Sequence, residues 1–498
     1  MKLRSRILAV LMALLLAVGM PLTALAETYD LNEGSVTIDA NETGQTVTQN
    51  EVSNQDSNPV ITSGGDKTSN TITVNTNGGN ANVTLDNVNI NSDGAAMEVN
   101  RGEGTTVTVE LDGTNTLQSG EDYAGLQTSG EGALVIQDAN GKEGSLTANG
   151  GFLGAGIGGG IGRAGSDITI SGGDVTAKGG ERGAGIGGGG DGEGSDITIS
   201  GGSVTAIGGD YGGAGIGGGF GGAGSDITIS GGKVTAQGGF WDKIIGGGAG
   251  IGGGYEGEGT GITISGGDVE ANGGFLGAGI GGGIDRAGSD ITISGGDVEA
   301  NGGDYGAGIG GGFYGAGSDI IISGGKVTAN GGHWGAGIGG GYWGKGSGIT
   351  IKNNAVVTAE GKDNAANIGN GHSEEFTEKQ PDNVDVSGLY ITGSVNGVPG
   401  TIDPNAVPGA FDGFDETAFW KEVVRKIQAA NPGDTVSIDA GGLFTIPCWV
   451  IDAVVEQGVT LVIAWMGGED IIIDHQPDTG SQKIWVFSFT TLPQLLAK

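Results

Sequence analysis

The stretch GAGIGGGIGRAGSDITISGGDVTAKGG, residues 154–180, decides the fold because its parts return again and again along the chain. The first seven letters, GAGIGGG, occur seven times, with spacings of 29, 30, 35, 29, 29 and 29 residues. These copies begin at Gly154, Gly183, Gly213, Gly248, Gly277, Gly306 and Gly335. A fixed period of this length is typical of a repeat protein in which each repeat forms one structural unit.

Apolar residues alternate with small or polar ones inside each repeat, and a period of two indicates strands. Ile157 lies in the first string, Ile168 and Ile170 lie in the second, and Val175 lies in the third. The same residue types return one repeat later, as Ile186 does for Ile157. We therefore predict three short strands in each turn of about 29 residues, with like residues stacked in a dry interior.

Glycine accounts for 114 of the 498 residues, which bears on the alternatives to this fold. Interior glycine would cost a helix about 1 kcal/mol per residue, so the repeats are not helical. A disordered linker is the other common use of glycine-rich sequence, but the unbroken isoleucine and valine columns argue against it. We place the glycines at corners between strands, where a positive φ is needed. The predicted class is mainly β, a single-stranded parallel β-helix followed by a small α/β domain.

Composition divides the chain into four segments. Residues 1–26 have a basic start, an apolar run and a small-residue ending, the pattern of a secretory signal peptide. The repeats predict 11 or 12 turns of β-helix over residues 27–371. Residues 372–413 are acidic and contain several prolines, which indicates a linker with room for terminal strands. Residues 414–498 form the predicted α/β domain.

Local signals in the α/β domain predict two helices and a hairpin. The first helix follows Asp415 and stops at Asn431-Pro432-Gly433, and a strand covers Thr435 to Ile438. The second helix begins with Pro447 and ends before Gly458. A hairpin is expected over residues 459–474.

The charge balance excludes several kinds of partner. The chain has 22 Lys and Arg against 58 Asp and Glu, a net charge of −36. Nucleic acid and anionic lipid both require a basic surface, so neither is expected to bind. Beyond the signal we find no segment apolar and long enough to be a transmembrane span, and the single Cys448 permits no internal disulfide. We expect a secreted, extracellular protein that is either released or held at the cell surface without a covalent link, in an oligomeric state that the sequence leaves open.

The pattern GAGIGGG…SDITISGGxVTAxGG resembles that of extracellular right-handed β-helix proteins of Gram-positive anaerobes. Some members of that group are described as carbohydrate-binding, including binding of acidic plant polysaccharide with calcium. The segments Phe419–Asp439 and Gly458–Trp465 resemble a module that recurs at the C-termini of surface proteins from similar bacteria. The resemblance implies a carbohydrate-binding or adhesin-like function for this chain.

Aromatic residues gather in the loops on either side of GAGIGGG. The residues that we assign to carbohydrate binding are Tyr211, Phe240, Trp241, Tyr255, Tyr305, Tyr314, Trp334, Tyr342 and Trp343. Phe220, Phe275 and Phe313 lie in the same loops. Flat rings along a rigid rod can stack on successive sugars, but they can equally pack on one another as a surface ladder.

A column of aspartates is the candidate metal site. It consists of Asp167, Asp196, Asp226, Asp290 and Asp319. Each precedes an inward isoleucine, so we expect an outward carboxylate in every such turn, and stacked carboxylates repel unless a cation such as calcium bridges them. Residues 221–227 also fit the calcium-binding nonapeptide pattern, although that pattern normally recurs every nine residues. Solvated turn residues are the alternative.

Other functions have weaker support in the sequence. GAGIGGG matches the glycine pattern of dinucleotide-binding sites, but it does not begin a helix, so dinucleotide binding is not expected. An outward column of threonines would suit ice binding, but Ile321 interrupts it. A polysaccharide lyase would need a base, for which Arg163, Arg182, Lys243 and Arg286 are candidates. We predict a non-catalytic protein that binds polysaccharide or cell-wall glycan, with a structural spacer and a lyase as the alternatives.

Overall fold

The computed structural model describes residues 26–240, 247–352, 355–373, 382–387, 390–395, 398–399, 416–440, 445–464, 470–475 and 486–488, with Leu492 and Leu496. The signal peptide predicted for residues 1–26 therefore lies outside the described residues, apart from Ala26. Trp241, Lys243 and Asp415 also lie outside them, as does most of the linker predicted for residues 372–413.

The repeats form a parallel β-solenoid, as predicted, with three strands in each regular turn. Each strand pairs in parallel with its equivalent one turn later, so Ile157 pairs with Ile186 and Val175 with Val204. We call the sheet that contains Ile157 the first face, the sheet of the SDITI strings the second face and the sheet of the VTA strings the third face.

The bounds of the strands show how regular the stack is. First-face strands are Val36–Asn41, Ile72–Asn77, Met97–Arg101, Leu126–Gly130, Ile157–Gly158, Ile186–Gly187, Ile216–Gly217, Ile251–Gly252, Ile280–Gly281, Ile309–Gly310, Ile338–Gly339 and Ile368–Gly369. Second-face strands are Thr28–Asp30, Val60–Thr62, Ala81–Asp86, Ala133–Gln137, Gly165–Ile170, Gly194–Ile199, Gly224–Ile229, Gly259–Ile264, Gly288–Ile293, Gly317–Ile322, Gly346–Lys352 and Asp382–Ser387. Third-face strands are Asn89–Asn91, Gly144–Asn149, Asp174–Lys178, Ser203–Ile207, Lys233–Gln237, Asp268–Asn272, Asp297–Asn301, Lys326–Asn330, Val356–Glu360 and Tyr390–Val395.

The early turns depart from this plan. Strand Thr106–Gln118 runs through the second and third faces without a break, pairing with Ala133–Gln137 on one and Gly144–Asn149 on the other. At the N-terminal end, Gly44–Gln49 and Val52–Gln55 extend the first face with antiparallel pairing.

The solenoid has about 13 turns, and the 12 first-face strands up to Ile368–Gly369 agree with the 11 or 12 turns predicted for residues 27–371. Strand Asp382–Ser387 continues the second face beyond Gly346–Lys352, and Tyr390–Val395 continues the third face. Val398–Pro399 then pairs antiparallel with Tyr390–Val395. These strands lie in the segment 372–413, after the repeat strings end.

The core is a continuous apolar column inside the three faces. Ile157, Ile168, Ile170, Val175 and their equivalents as far as Ile368 are buried. Each turn buries too little apolar surface to be stable alone, so the stacked turns stabilise one another.

Many glycines lie where neighbouring turns touch, and this corrects the prediction that they serve corners alone. Gly187, in a first-face strand, has a φ of 128°, and a Cβ there would lie 2.1 Å from the carbonyl oxygen of Gly217 in the next turn. A side chain at this position would force the turns apart.

Arg101 lies inside the solenoid where the first-face strands shorten from five residues to two. Its Nη1 donates to the carbonyl oxygen of Ser166 at 2.8 Å, and its Nη2 donates to that of Gly130 at 3.3 Å. Burial lowers the pKa of its guanidinium. These backbone acceptors compensate a charge that would be costly to bury unpaired.

The described residues of the C-terminal region form two helices and short strands. The helices are Glu416–Ala429 and Cys448–Gln457. Thr435–Asp439 and Thr460–Ala464 are parallel, while Ile471–Ile473 is antiparallel to the latter, which confirms the predicted hairpin. Thr445–Pro447 pairs with Val486–Ser488, so Pro447 ends a strand and does not begin the helix as predicted. Neither helix has the length and hydropathy needed to cross a membrane, and the other described residues contain no such helix.

Candidate functional site

The loops that flank each first-face strand bring the aromatic residues together. We call the loop before this strand the entry loop, as at residues 304–305 and 333–334, and the loop after it the exit loop, as at residues 313–314 and 342–343. The backbone N–H of Tyr342 donates to the carbonyl oxygen of Tyr305 at 2.9 Å, and that of His372 donates to Trp334 at 2.8 Å. Each exit loop is therefore tied to the entry loop of the preceding turn.

Rings from these loops form a continuous cluster, which we call the aromatic patch. Its members are Phe240, Phe275, Tyr305, Phe313, Tyr314, Trp334, Tyr342, Trp343 and His372. The ring centroids of Trp334 and Tyr342 are 4.8 Å apart, and those of Tyr305 and Tyr342 are 5.9 Å apart. Tilted and edge-on ring pairs at such distances contribute roughly 0.5–1.5 kcal/mol each beyond area burial.

The rings of the aromatic patch are too exposed to be part of the hydrophobic core. Tyr314 is 52% exposed and Phe240 is 51% exposed, whereas the other rings of the patch are half-buried. The rings therefore pack on one another and still leave aromatic surface open to solvent. Both interpretations of the aromatic columns, a surface ladder and an accessible platform, describe part of this arrangement.

The structure brings together some of the assigned aromatic residues and separates others. Tyr305, Tyr314, Trp334, Tyr342, Trp343 and Phe240 lie in the patch. Tyr211 contacts Phe152 instead, and Tyr255 stacks on Phe220 with 5.0 Å between ring centroids. Trp241 lies outside the described residues.

Three members of the patch were not among the residues assigned from the sequence. Phe275 and Phe313 lie in the same loops and contact Tyr305. His372 stacks against Tyr342 at 6.3 Å with an angle of 16° between the rings. The repeat spacing was the available signal, because His372 follows Tyr342 by one turn, as Tyr342 follows Phe313.

Three rings of the patch have an unfavourable backbone conformation. Tyr314, Trp334 and Trp343 have φ values of 57°, 58° and 67°, in the left-handed region that bulky residues rarely adopt. The exit-loop equivalents of Tyr314 and Trp343 in earlier turns are Gly162, Asp191, Gly221, Glu256 and Asp285. A left-handed residue other than glycine costs of order 1–3 kcal/mol, so the two aromatic residues occupy a position that better suits glycine or aspartate.

The aspartate column has a backbone explanation. All five residues, Asp167, Asp196, Asp226, Asp290 and Asp319, have φ between 51° and 54°. Where the column breaks, Gly261 and Gly348 have φ of 64° and 60°. Glycine and aspartate both tolerate the left-handed region, so this conformation selects the residue in every turn.

The same column is the candidate metal site predicted from the sequence. Within the described residues no group of three or more His, Cys, Asp and Glu side chains is arranged to hold a metal ion. The column supplies outward carboxylates, of which four are exposed and that of Asp167 is half-buried. Calcium binding there stays a prediction from the sequence.

The basic residues considered for a lyase are scattered. Arg182 lies over the ring of Phe220, with its Cζ 4.9 Å from the ring centroid. Arg286 Nε donates to the carbonyl oxygen of Glu256 at 2.9 Å. Arg163 is exposed in an exit loop, and Lys243 lies outside the described residues.

The fold and the patch together define a class, a parallel β-solenoid that displays a cluster of aromatic rings from several turns. Comparison with known families agrees with the fold. A family model described as the beta helix repeat matches residues 140–161, 168–190, 197–220, 227–255, 262–284, 291–313 and 320–342. The central turns are therefore similar to this repeat family. No curated protein and no solved structure matches the chain.

Proposed function

We propose that this chain is a secreted or cell-surface protein of a Gram-positive bacterium that binds polysaccharide or cell-wall glycan without cleaving it. The aromatic patch carries the proposal, because rings from successive turns leave open aromatic surface on a stiff support. Sugar rings have apolar faces, and aromatic side chains combine a large apolar area with few rotatable bonds. A function in adhesion would follow from such binding.

A panel of plant and bacterial wall polysaccharides, incubated with the purified protein, tests the proposal. We expect retention on at least one polysaccharide, and loss of retention when Tyr314 and Trp334 are both replaced by alanine. Phe220→Ala is the matched control, since Phe220 occupies the exit-loop position of Phe313 but stacks on Tyr255. Absence of binding to every polysaccharide would refute the function.

Two further measurements address catalysis and calcium. An acidic polysaccharide incubated with the protein should yield no unsaturated product, and formation of such a product would support the lyase alternative. Binding is then compared with calcium and with a chelator, because the dependence on calcium rests on the aspartate column. If the chelator has no effect, calcium is not required.

The spacer alternative has one observation in its favour. About 13 turns at a strand spacing of about 4.8 Å give a rod of roughly 60 Å. In that case the double variant Tyr314→Ala, Trp334→Ala would leave attachment to cells unchanged, because only the length of the rod would matter.

A further inference from the structure

We propose that the aromatic patch binds a neutral polysaccharide chain lying along the solenoid axis, with Tyr314 and Trp343 stacking on neighbouring sugar rings. The inference rests on the proposed function and adds the substrate class and the direction of the bound chain.

The direction follows from the way in which the turns repeat. Tyr314 and Trp343 are equivalent residues of consecutive exit loops, and their ring centroids are 6.2 Å apart with an angle of 49° between the ring planes. Phe313, Tyr342 and His372 form a parallel column beside them, with 5.7 Å between Phe313 and Tyr342 and 6.3 Å between Tyr342 and His372. Strands in a sheet are about 4.8 Å apart, a distance close to the advance of one sugar in an extended polysaccharide. A chain along the axis therefore meets one ring in each of the two turns that contain Tyr314 and Trp343.

The backbone strain indicates that these rings serve a ligand. Tyr314 and Trp343 stand where other turns have glycine, aspartate or glutamate, although the left-handed conformation disfavours them. Tyr314 packs on Phe313, Tyr342 and Trp343, but half of its side chain still lies in solvent. Strained residues are concentrated at binding sites, so a strained ring with this much open surface is a candidate ligand contact.

The exposed carboxylates in the two turns before Tyr314 disfavour an acidic ligand on that side of the patch. Tyr314 and Trp343 share one exit-loop position, and in the two turns before Tyr314 this position is occupied by Glu256 and Asp285. Both carboxylate side chains are exposed. Burial raises the pKa of the nearby Tyr255 phenol, and the negative charges of Glu256 and Asp285 raise it further. Arg286, in the same exit loop as Asp285, already donates to the carbonyl oxygen of Glu256. A polymer of uronic acids placed along this column would meet like charges, which repel at short range.

Titration calorimetry with oligosaccharides of increasing length tests both parts of the inference. The neutral probes are cello-, xylo- and manno-oligosaccharides, and the acidic probe is oligogalacturonate, with and without calcium. We expect affinity for one neutral series to rise with length until the chain spans the turns of the patch and then to level off. We expect oligogalacturonate to bind more weakly under both conditions.

Substitutions at the strained position separate binding from folding. Trp343→Asp introduces the residue found at the equivalent position 285, and Trp343→Gly introduces the residue found at position 221. Both residues are compatible with the positive φ at this position. Each should weaken binding about tenfold, the loss typical of truncating one central ring, without lowering the unfolding midpoint. Glu256→Gly is the control at the same position outside the patch and should leave affinity for the neutral chain unchanged.

The outcomes distinguish this inference from the function on which it rests. Affinity independent of length, unchanged binding by both Trp343 variants, or tighter binding of oligogalacturonate would each overturn the inference while glycan binding stands. Failure of every oligosaccharide and polysaccharide to bind would overturn both, and peptides or proteins would then be the remaining occupants of the patch.

Discussion

A single backbone angle explains the most regular polar feature of the sequence. The aspartate that precedes each second-face isoleucine lies in the left-handed region and is left out of the parallel strand pairing. Ser166 pairs with Ser195 and Ile168 with Ile197, but Asp167 between them has no paired residue in the register. The residues that replace it, Gly261 and Gly348, share the conformation. The column therefore has a structural cause whether or not a cation also binds there.

Substitutions at Asp196 test this cause. Asp196→Gly should be nearly neutral for folding, whereas Asp196→Val should lower the free energy of unfolding by about 1–3 kcal/mol, since a β-branched residue resists a positive φ. Thr198→Val, two residues later on the same face, is the control and should change stability by less than about 0.5 kcal/mol. Urea unfolding measures all three. Equal stability of Asp196→Gly and Asp196→Val would contradict the explanation.

At the scale of elements, hydrogen bonds between side chains tie neighbouring strands of the third face. Asn301 Nδ2 donates to Asn272 Oδ1 at 2.9 Å, and Asn330 Nδ2 donates to Asn301 Oδ1 at 2.8 Å. All three asparagines are half-buried at the ends of equivalent strands. A ladder of identical amides is a recurrent stabiliser of stacked parallel strands.

Because Asn301 is the middle of this ladder, its loss should cost more than the loss of an end. We expect Asn301→Ala to lower the free energy of unfolding by about 1–2 kcal/mol and Asn330→Ala by about half as much, since a hydrogen bond contributes roughly 0.5–1.5 kcal/mol. Thermal unfolding of the two variants provides the comparison. Equal losses of stability in Asn301→Ala and Asn330→Ala would contradict a stabilising hydrogen-bond ladder in which Asn301 makes two bonds and Asn330 makes one.

At the scale of the whole molecule, each turn contacts its neighbours in a repeating register. Removing one complete turn should therefore leave a shorter solenoid, whereas removing half a turn should destroy the register. Deletion of residues 183–212 joins Arg182 to Gly213 and allows Ile157 to pair with Ile216. We expect this variant to remain folded and to retain glycan binding, because the aromatic patch lies beyond the deletion.

The matched variant lacks residues 183–197, about half of the same turn, and should be misfolded or insoluble. Circular dichroism and size-exclusion chromatography distinguish the two. A folded half-turn deletion, or an unfolded whole-turn deletion, would contradict a stack that is held in place by its register.

The sequence by itself determined the solenoid, because one turn after another repeats the same isoleucines and valines at the same spacing. It also located the loops in which Tyr314, Trp334 and Trp343 lie. Only the tertiary structure decided which rings meet, since the hydrogen bonds from Tyr342 to Tyr305 and from His372 to Trp334 join loops of different turns. Tyr255 and Tyr211 share the spacing but not these neighbours. Contacts between equivalent residues follow from the period, but contacts between an entry loop and an exit loop depend on how the loops fold against each other in three dimensions.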